Sequence, residues 1–125
     1  AGKRFGLWGL AFKPETDDVR DSPALNVAAA LHLRGAQVKV YDPAAAETAR
    51  RTFPTLTYAS SMEEAVENSE VVLVLTEWSQ FLTADPAALA ALTRTPRVID
   101  ARGKLDARAW RAAGWEFRGL GRPAA

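Results

Sequence analysis

Short apolar runs alternate along the chain with segments of helical character, and this alternation constrains the fold more than any other feature. Strands that alternate with helices are typical of a parallel sheet with helices on both faces. The run at 70–76 (EVVLVLT) is rich in β-branched residues, as in a strand that is covered on both sides. The predicted strands are residues 4–10, 37–41, 55–58, 70–76, 97–100 and, at an edge of the sheet, 115–119.

Capping residues mark where the intervening helices begin. Ser22 followed by Pro23 suits the first turn of a helix, and Asp85-Pro86 is a similar start. Ser61 and Glu64 have the spacing of a capping box. The predicted helices are residues 22–34, 42–52, 61–68, 85–92 and 105–113. We therefore expect one three-layer α/β domain, with a Rossmann-like, doubly wound, mostly parallel sheet of five or six strands in the order 3-2-1-4-5-6.

The composition of the 125 residues excludes several classes of function. The absence of cysteine excludes disulfides, thiolate metal sites and cysteine nucleophiles. The one histidine, His32, cannot form a multi-histidine metal site and is expected to be a packed or partly exposed helix residue. The net charge of +1 gives no strong field for nucleic acid, and no apolar run approaches the ~18 residues of a membrane span. We expect a cytoplasmic protein without nucleic-acid, membrane or metal partners.

The expected strand order also predicts where a ligand binds. In a doubly wound sheet, ligands lie outside the carboxyl ends of the strands, where the strand order reverses. With the order 3-2-1-4-5-6, this crevice lies between the first and fourth strands. Three segments converge on it: the long connection after the first strand, the loop 76–80 after the fourth, and the loop 100–104 after the fifth.

The connection after the first strand is unlike that of a dinucleotide-binding domain. There, the first strand turns directly into its helix through a tight G-x-G-x-x-G loop. Gly6 and Gly9 are present, but about a dozen residues separate Gly9 from the helix start at Pro23. We therefore do not expect NAD to bind here. Asp42, at the end of the second strand, is interpreted as a helix cap rather than a ribose ligand.

Four strings of residues resemble one family. Residues 9–23 (GLAFKPETDDVRDSP) resemble the signature that opens the C-terminal domain of the UDP-glucose and GDP-mannose dehydrogenases. Residues 76–78 (TEW) are similar to that family's T-E-W segment, and 98–102 (VIDAR) to its strand that ends in D-x-R. The segment 115–122 (WEFRGLGR) resembles the family's C-terminus, so that the resemblance covers almost the whole chain.

The resemblance implies a larger enzyme. Such dehydrogenases have an N-terminal domain that binds NAD, a central helical region through which they dimerise, and this C-terminal domain, which binds the nucleotide sugar. They oxidise the C6 hydroxyl of a nucleotide sugar to a carboxylate in two NAD-dependent steps, with a catalytic cysteine outside the C-terminal domain. The expected substrate is UDP-glucose, and this chain alone is expected to hold no catalytic residue and to be inactive.

The resemblance also assigns residues to the substrate site. Lys13 is expected to contact the nucleotide sugar, since a long cation on a crevice loop can neutralise part of a diphosphate. Arg102 is expected to reach the sugar-phosphate region through its bidentate guanidinium, or else to pair with an aspartate nearby. Phe12 can pack against a sugar or a base, or fill the core beneath the loop. Glu77 and Trp78 are further substrate-binding candidates, with a local ion pair and a domain interface as their alternatives.

A charged cluster precedes the first helix. Asp17, Asp18 and Arg20 are interpreted as a scaffold for the loop, because carboxylates near a helix N-terminus are favourable and Arg20 can hold them together. The arginine among them argues against Mg²⁺. Two functions of other classes stay open: a free-standing nucleotide-binding module without catalysis, and a structural or oligomerisation domain.

Overall fold

The computed structural model describes residues 3–9, 23–43, 46–52, 54, 56–76, 79–101 and 103–119. Strands and helices alternate through this part of the chain. The strands are β1 (Arg4–Trp8), β2 (Gln37–Tyr41), β3 (Thr57–Tyr58), β4 (Val71–Val74), β5 (Arg97–Asp100) and β6 (Glu116–Gly119). The helices are α1 (Pro23–Leu33), α2 (Ala46–Thr52), α3 (Met62–Val66), α4 (Ser79–Leu82), α5 (Pro86–Ala90) and α6 (Ala107–Ala112).

All six strands are parallel and form one sheet in the order β3-β2-β1-β4-β5-β6, so that the predicted fold class and strand order are confirmed. The order reverses between β1 and β4, where Phe5 lies opposite Val71 and Trp8 opposite Val74. The predicted strand positions are confirmed to within about two residues at each end, and the weak strand predicted at 55–58 is reduced to Thr57–Tyr58.

Apolar side chains cover both faces of the sheet, as expected for three layers. All of β4 is buried, in agreement with its apolar sequence. One face packs on α1 and α2, and its buried residues are Leu7, Ala28, Val38, Val40, Ala49, Leu56, Val71 and Leu73. The other face packs on α3 to α6, and its buried residues are Trp8, Ala59, Ala65, Val66, Val72, Val74, Phe81, Leu89, Val98, Leu105, Trp110, Trp115 and Phe117.

Two predicted helix starts are confirmed in detail. The Ser61 hydroxyl accepts from the Glu64 N–H at 3.0 Å, and Asp85 accepts from the N–H groups of Ala87 and Ala88. Glu64 reaches back to the N–H and hydroxyl of Ser60, one residue earlier than a capping box predicts. These hydrogen bonds favour the ionised carboxylate and hold the pKa of Glu64 below its ordinary value.

The helix α4 lies where the sequence predicted only a loop. Its four residues are too few for a helical period to be recognised. Phe81 within it is fully buried and stacks on Trp8, with the ring centroids 5.2 Å apart. Tertiary packing of an aromatic ring therefore determines this turn, because so short a helix is not stable by itself.

α1 is apolar on more than one side. Ala28 is buried, whereas Val27 and Leu33 are exposed, and Leu33 is 84% exposed. His32 is exposed on the same helix. At 11 residues α1 is the longest described helix, and none of the described helices is long and apolar enough to cross a bilayer.

Gly6 determines how closely α3 approaches the sheet. A Cβ atom built on Gly6 would lie 2.4 Å from the carbonyl oxygen of Ala65. A backbone oxygen cannot rotate away as a flexible side chain can, so α3 would have to move outward from β1 and β2, on which it packs. Position 6 therefore requires a residue without a side chain.

We expect Gly6→Ala to lower the free energy of unfolding by about 3 kcal/mol, because overpacking of a close contact costs about 1–3 kcal/mol. Gly114→Ala is the control, since Gly114 has φ +100° but a Cβ atom added there would meet no other atom within 4 Å. Only the left-handed backbone penalises that change, by about 1–2 kcal/mol. Urea denaturation measures both losses, and a smaller loss for Gly6→Ala than for Gly114→Ala would contradict the packing argument.

Candidate functional site at the carboxyl edge of the sheet

The last residues of β1, β4 and β5 lie side by side in one row across the sheet. Trp8 is opposite Val74, and Val74 is opposite Asp100. The ladder continues one residue further, because the Leu75 N–H donates to the Trp8 carbonyl at 2.9 Å and the Ala101 N–H donates to the Val74 carbonyl at 3.0 Å. The three connections that the sequence analysis assigned to the crevice therefore leave the sheet at the same level, from neighbouring strands.

Gly9 and Thr76 bring two of these connections into contact. Gly9 has φ +101°, and a Cβ atom there would lie 2.5 Å from both Cβ and Oγ1 of Thr76. Its N–H donates to the Tyr41 carbonyl at 2.7 Å. Thr76 is buried. A side chain at position 9 is thus excluded both by the backbone conformation and by the neighbouring strand end.

Asp100 holds the loop that follows β5. The carboxylate is fully buried, and its Oδ1 accepts from the Gly103 N–H at 2.9 Å while its Oδ2 accepts from the Leu105 N–H at 2.8 Å. Hydrogen bonds to a buried carboxylate are stronger than neutral ones. Asp100 therefore fixes the backbone directly after position 102. Residue 102 itself lies outside the described residues.

Aromatic rings form the floor beneath this edge. Trp8 stacks on Phe81, meets Trp110 edge to face with centroids 6.0 Å apart, and donates its indole N–H to the Met62 carbonyl at 3.2 Å. The ring centroids of Trp115 and Trp110 are 4.9 Å apart, and the indole N–H of Trp115 donates to the Pro86 carbonyl at 2.7 Å. The indole N–H groups of Trp8 and Trp115 are thus paired, which allows large rings to be buried without an unmatched donor.

Tyr41 connects the end of β2 to α4. Its hydroxyl donates to Gln80 Oε1 at 3.0 Å, and its ring meets Phe81 edge to face. Burial, followed by the negative charges of Asp42 and Glu63, raises the pKa of Tyr41 above its ordinary value. Asp42 itself is buried at the end of β2, and its predicted role as the cap of α2 stays a prediction, because residues 44–45 lie outside the described part.

The residues that the sequence analysis assigned to the site lie outside the described residues, and their roles stay predictions. They are Phe12, Lys13, Asp17, Asp18, Arg20, Glu77, Trp78 and Arg102. The structure describes instead the residues from which these segments start or end, Gly9, Thr76, Ala101 and Gly103. The sequence analysis did not identify Phe81 as part of this region. The signal that could have done so is the apolar pair Phe81-Leu82, directly after the loop 76–80.

One family model matches residues 6–107, that of the UDP-glucose/GDP-mannose dehydrogenase family, UDP-binding domain. The chain belongs to this family. The match includes the last three residues of β1, all of β2 to β5 and all three connections at the carboxyl edge. It corresponds to the C-terminal domain of these dehydrogenases, so that the family to which the sequence motifs pointed is confirmed.

Curated relatives of this dehydrogenase domain are considerably longer than the chain. A UDP-glucose 6-dehydrogenase of Bacillus subtilis is 37% identical over 124 residues, which are 98% of this chain and 28% of the relative. A UDP-glucose 6-dehydrogenase of Haloferax volcanii is 45% identical over 101 residues, which are 81% of this chain and 23% of the relative. The chain therefore spans about a quarter of the length of the relatives it matches.

Solved structures of similar domains have the same fold. A UDP-glucose dehydrogenase from Pyrobaculum islandicum superimposes with a TM-score of 0.73 at 34% identity, covering 96% of this chain and 25% of that one. An NDP-N-acetyl-D-galactosaminuronic acid dehydrogenase from Methanosarcina mazei has a TM-score of 0.83 at 24% identity, covering 97% of this chain and 25% of that one. A likeness at this identity shows the fold alone.

We expect Asp100→Asn to lower the free energy of unfolding of this dehydrogenase domain by about 2 kcal/mol or more, because either the partly buried N–H of Gly103 or the buried N–H of Leu105 loses its acceptor. Asp106→Asn is the matched control. Asp106 is an exposed cap whose Oδ1 alone accepts from the N–H groups of Arg108 and Ala109, and asparagine caps a helix as well as aspartate. Denaturation with urea measures stability, and amide exchange of Gly103 and Leu105 locates the change. Equal losses in the two variants would contradict this role of Asp100.

We expect both tyrosines to ionise above the ordinary value of 10.0, because burial raises the pKa of Tyr41 and, against the opposing charge of Arg50, that of Tyr58. The protonated hydroxyls are favoured in the folded state. Their contribution to stability is therefore present below pH 10 and is lost as the pH rises through the folded-state pKa. In a titration with base, the tyrosinate absorbance of the native chain should rise at a higher pH than that of the urea-unfolded chain. In Tyr41→Phe, only the shift that belongs to Tyr58 should remain. Identical midpoints in the native and unfolded chains would refute this.

Proposed function

We propose that this chain is the nucleotide-sugar-binding domain of an NAD-dependent UDP-glucose 6-dehydrogenase. The observation that carries the proposal is the common row of Trp8, Val74 and Asp100 at the point where the strand order reverses. Doubly wound sheets bind their ligands in this crevice. Three of the four segments with family motifs, residues 9–23, 76–78 and 98–102, lie at or directly after this row, which supports a shared site rather than unrelated surface loops.

Two cations are the proposed ligands of the diphosphate. Lys13 follows Gly9 by four residues, and Arg102 follows Ala101 directly. A flexible ammonium and a planar guanidinium together can neutralise two phosphate charges, and the guanidinium can do so with paired hydrogen bonds. Asp100 supports this assignment, because its hydrogen bonds to Gly103 and Leu105 fix the backbone beside position 102.

The sugar and the base are assigned to the remaining candidates. Phe12 and Trp78 offer aromatic faces, and Glu77 offers an acceptor for a ribose or sugar hydroxyl. Asp17, Asp18 and Arg20 keep the proposed role of loop scaffold before α1. The contact of Gly9 with Thr76 supports this arrangement, since it brings the start of the loop that contains Phe12 against the start of the segment that contains Glu77 and Trp78.

NAD is proposed to bind another domain of the full-length enzyme. In a dinucleotide-binding unit, the first strand turns directly into its helix, whose N-terminus then meets the pyrophosphate. Here β1 ends at Trp8 and α1 begins at Pro23, so that the tight glycine turn is replaced by a long connection. The spacing between the described ends of β1 and α1 does not suit that cofactor. We assign the redox steps, the catalytic cysteine and the dimer contacts of a cytoplasmic homodimer to domains outside this chain.

UDP-glucose is the proposed substrate because the similar curated proteins carry that activity in their names, including relatives from Bacillus subtilis, Rhizobium meliloti and Pseudomonas aeruginosa at 35–37% identity. Among solved structures, a UDP-D-MAnNAc dehydrogenase from Pyrococcus horikoshii is less similar in sequence, at 26% identity, than the UDP-glucose dehydrogenase from Pyrobaculum islandicum, at 34%. In the full-length enzyme the oxidised group would be the primary alcohol at C6. NAD bound to another domain would accept the two hydrides, and water would supply the second carboxylate oxygen.

We expect the chain to bind UDP-glucose more tightly than GDP-mannose or NAD in calorimetry, and Lys13→Ala to weaken that binding about tenfold, equivalent to about 1.4 kcal/mol. Arg51→Ala is the charge-matched control, because Arg51 is exposed on α2 and away from the β1–β4 crevice. Tighter binding of NAD than of any nucleotide sugar would contradict the proposal. So would equal losses of UDP-glucose affinity in the two variants.

A further inference from the structure

A groove lies at the amino edge of the sheet, opposite the carboxyl edge, between the end of α3 and the strands β1, β2 and β3. Its volume is about 460 Å³, within the range of about 300–1,000 Å³ that small-molecule sites occupy. The end of α3 and the turn into β4 form its wall, with Ala65, Glu67, Asn68 and Ser69. We call this cavity the amino-edge groove.

The floor of the amino-edge groove has polar side chains on the face of the sheet towards α3, beside Phe5, Ala36 and Val38, which also line it. Gly6 faces α3, so Arg4, two residues earlier, shares that face of β1. Gln37 lies opposite Arg4, and Lys39 lies opposite both Gly6 and Thr57, so that these side chains share the same face. On the other face of β2, Val38 and Val40 are buried, as is usual in a sheet covered by helices. Packing under a helix would favour apolar residues on this face as well, so packing alone does not account for Arg4 and Lys39 on this floor.

Ser69 supplies an independent observation. It lines the groove, is 2% exposed, and its hydroxyl has no hydrogen-bond partner among the described residues. Backbone hydrogen bonds that do not involve the hydroxyl hold Ser69 in place. Its N–H donates to the Val66 carbonyl, and its carbonyl accepts from the N–H groups of Arg94 and Thr95. A buried hydroxyl without a partner is costly, so a native chain that retains one calls for an explanation such as a ligand.

We propose that the amino-edge groove is a second ligand site, for a small phosphorylated polyol of the sugar-phosphate class. Arg4 and Lys39 are diagonal neighbours on adjacent strands, about 8 Å apart at Cα, so that both side chains can reach one phosphate group. Gln37, Thr57 and Asn68 are exposed and offer hydrogen bonds to hydroxyl groups, and the buried hydroxyl of Ser69 becomes a further partner once the ligand displaces the adjoining wall. The proposal does not depend on the function proposed for the carboxyl edge.

The carboxylates near the groove limit the charge of this ligand. Glu67 lines it, Glu70 accepts from the Arg4 backbone N–H at 3.1 Å, and the charge of Lys39 contributes to the low pKa of Glu64 after the hydrogen bonds from Ser60. A single phosphate therefore fits better than a polyanion, and Glu67 can accept from a sugar hydroxyl. A second protein copy is the less favoured occupant, because stable interfaces bury apolar residues at their centre rather than lysine and glutamate.

The test is a titration of the ¹⁵N-labelled chain with glucose 6-phosphate, inorganic phosphate and glucose, followed by amide chemical shifts. Glucose 6-phosphate should give saturable shifts at Gln37, Lys39 and Ser69, and should bind at least about fivefold more tightly than phosphate, because the hydroxyl groups add hydrogen bonds. Glucose should give no saturable shift. Absence of saturation at these amides, or glucose binding as tight as that of glucose 6-phosphate, would overturn the proposal.

Three variants separate this site from the carboxyl edge and from a structural role. Lys39→Ala should weaken glucose 6-phosphate binding about tenfold, whereas Lys13→Ala should leave it within about twofold. Ser69→Ala should weaken binding about threefold or more without lowering the melting temperature, because the hydroxyl holds no described contact. A lower melting temperature with unchanged affinity for Ser69→Ala would assign the hydroxyl a structural role and overturn the proposal. So would sedimentation as a dimer that protects the groove amides from exchange.

Discussion

The pairing of β1 with β4 determines most of the structure. It joins strands that are far apart in sequence, and it reverses the direction in which the sheet grows. With that pairing in place, α1 and α2 lie over one face of the sheet and α3 to α6 over the other. It also brings the connections after β1 and β4 together, and the contact of Gly9 with Thr76 shows how closely they approach. The crevice is a consequence of topology before it is a consequence of any particular side chain.

The sequence predicted the architecture well, because its signals are of the kind that local patterns carry. Apolar strand-length runs, the capping pair Ser61 and Glu64, and the Asp85-Pro86 start each correspond to an observed element. The short helix α4 could not be predicted, since its stability comes from the burial of Phe81 against Trp8 across the sheet. β3 was predicted too long for a related reason, because an edge strand keeps only the residues that pair with β2.

For the candidate site, the sequence predicted the position in the fold but not the arrangement of the side chains. The position of the crevice follows from the strand order, and the family follows from motifs that the comparison with known proteins confirmed. The roles of Lys13 and Arg102 depend on side-chain positions, which neither a strand pattern nor the framework around them specifies. What the structure adds is the buried carboxylate of Asp100, whose two hydrogen bonds to the following loop leave no trace in hydrophobic periodicity.

The short helix α3 extends from one edge of the sheet to the other. At its first turn, the Met62 carbonyl accepts from the indole of Trp8 beneath the crevice, and its last turn leads into Glu67 and Ser69 at the opposite end. Between these ends, its backbone packs directly on the backbone of β1 at Gly6, with no side chain between them. The two rims of the domain are therefore joined through one short helix, whose distance from the sheet is set at Gly6.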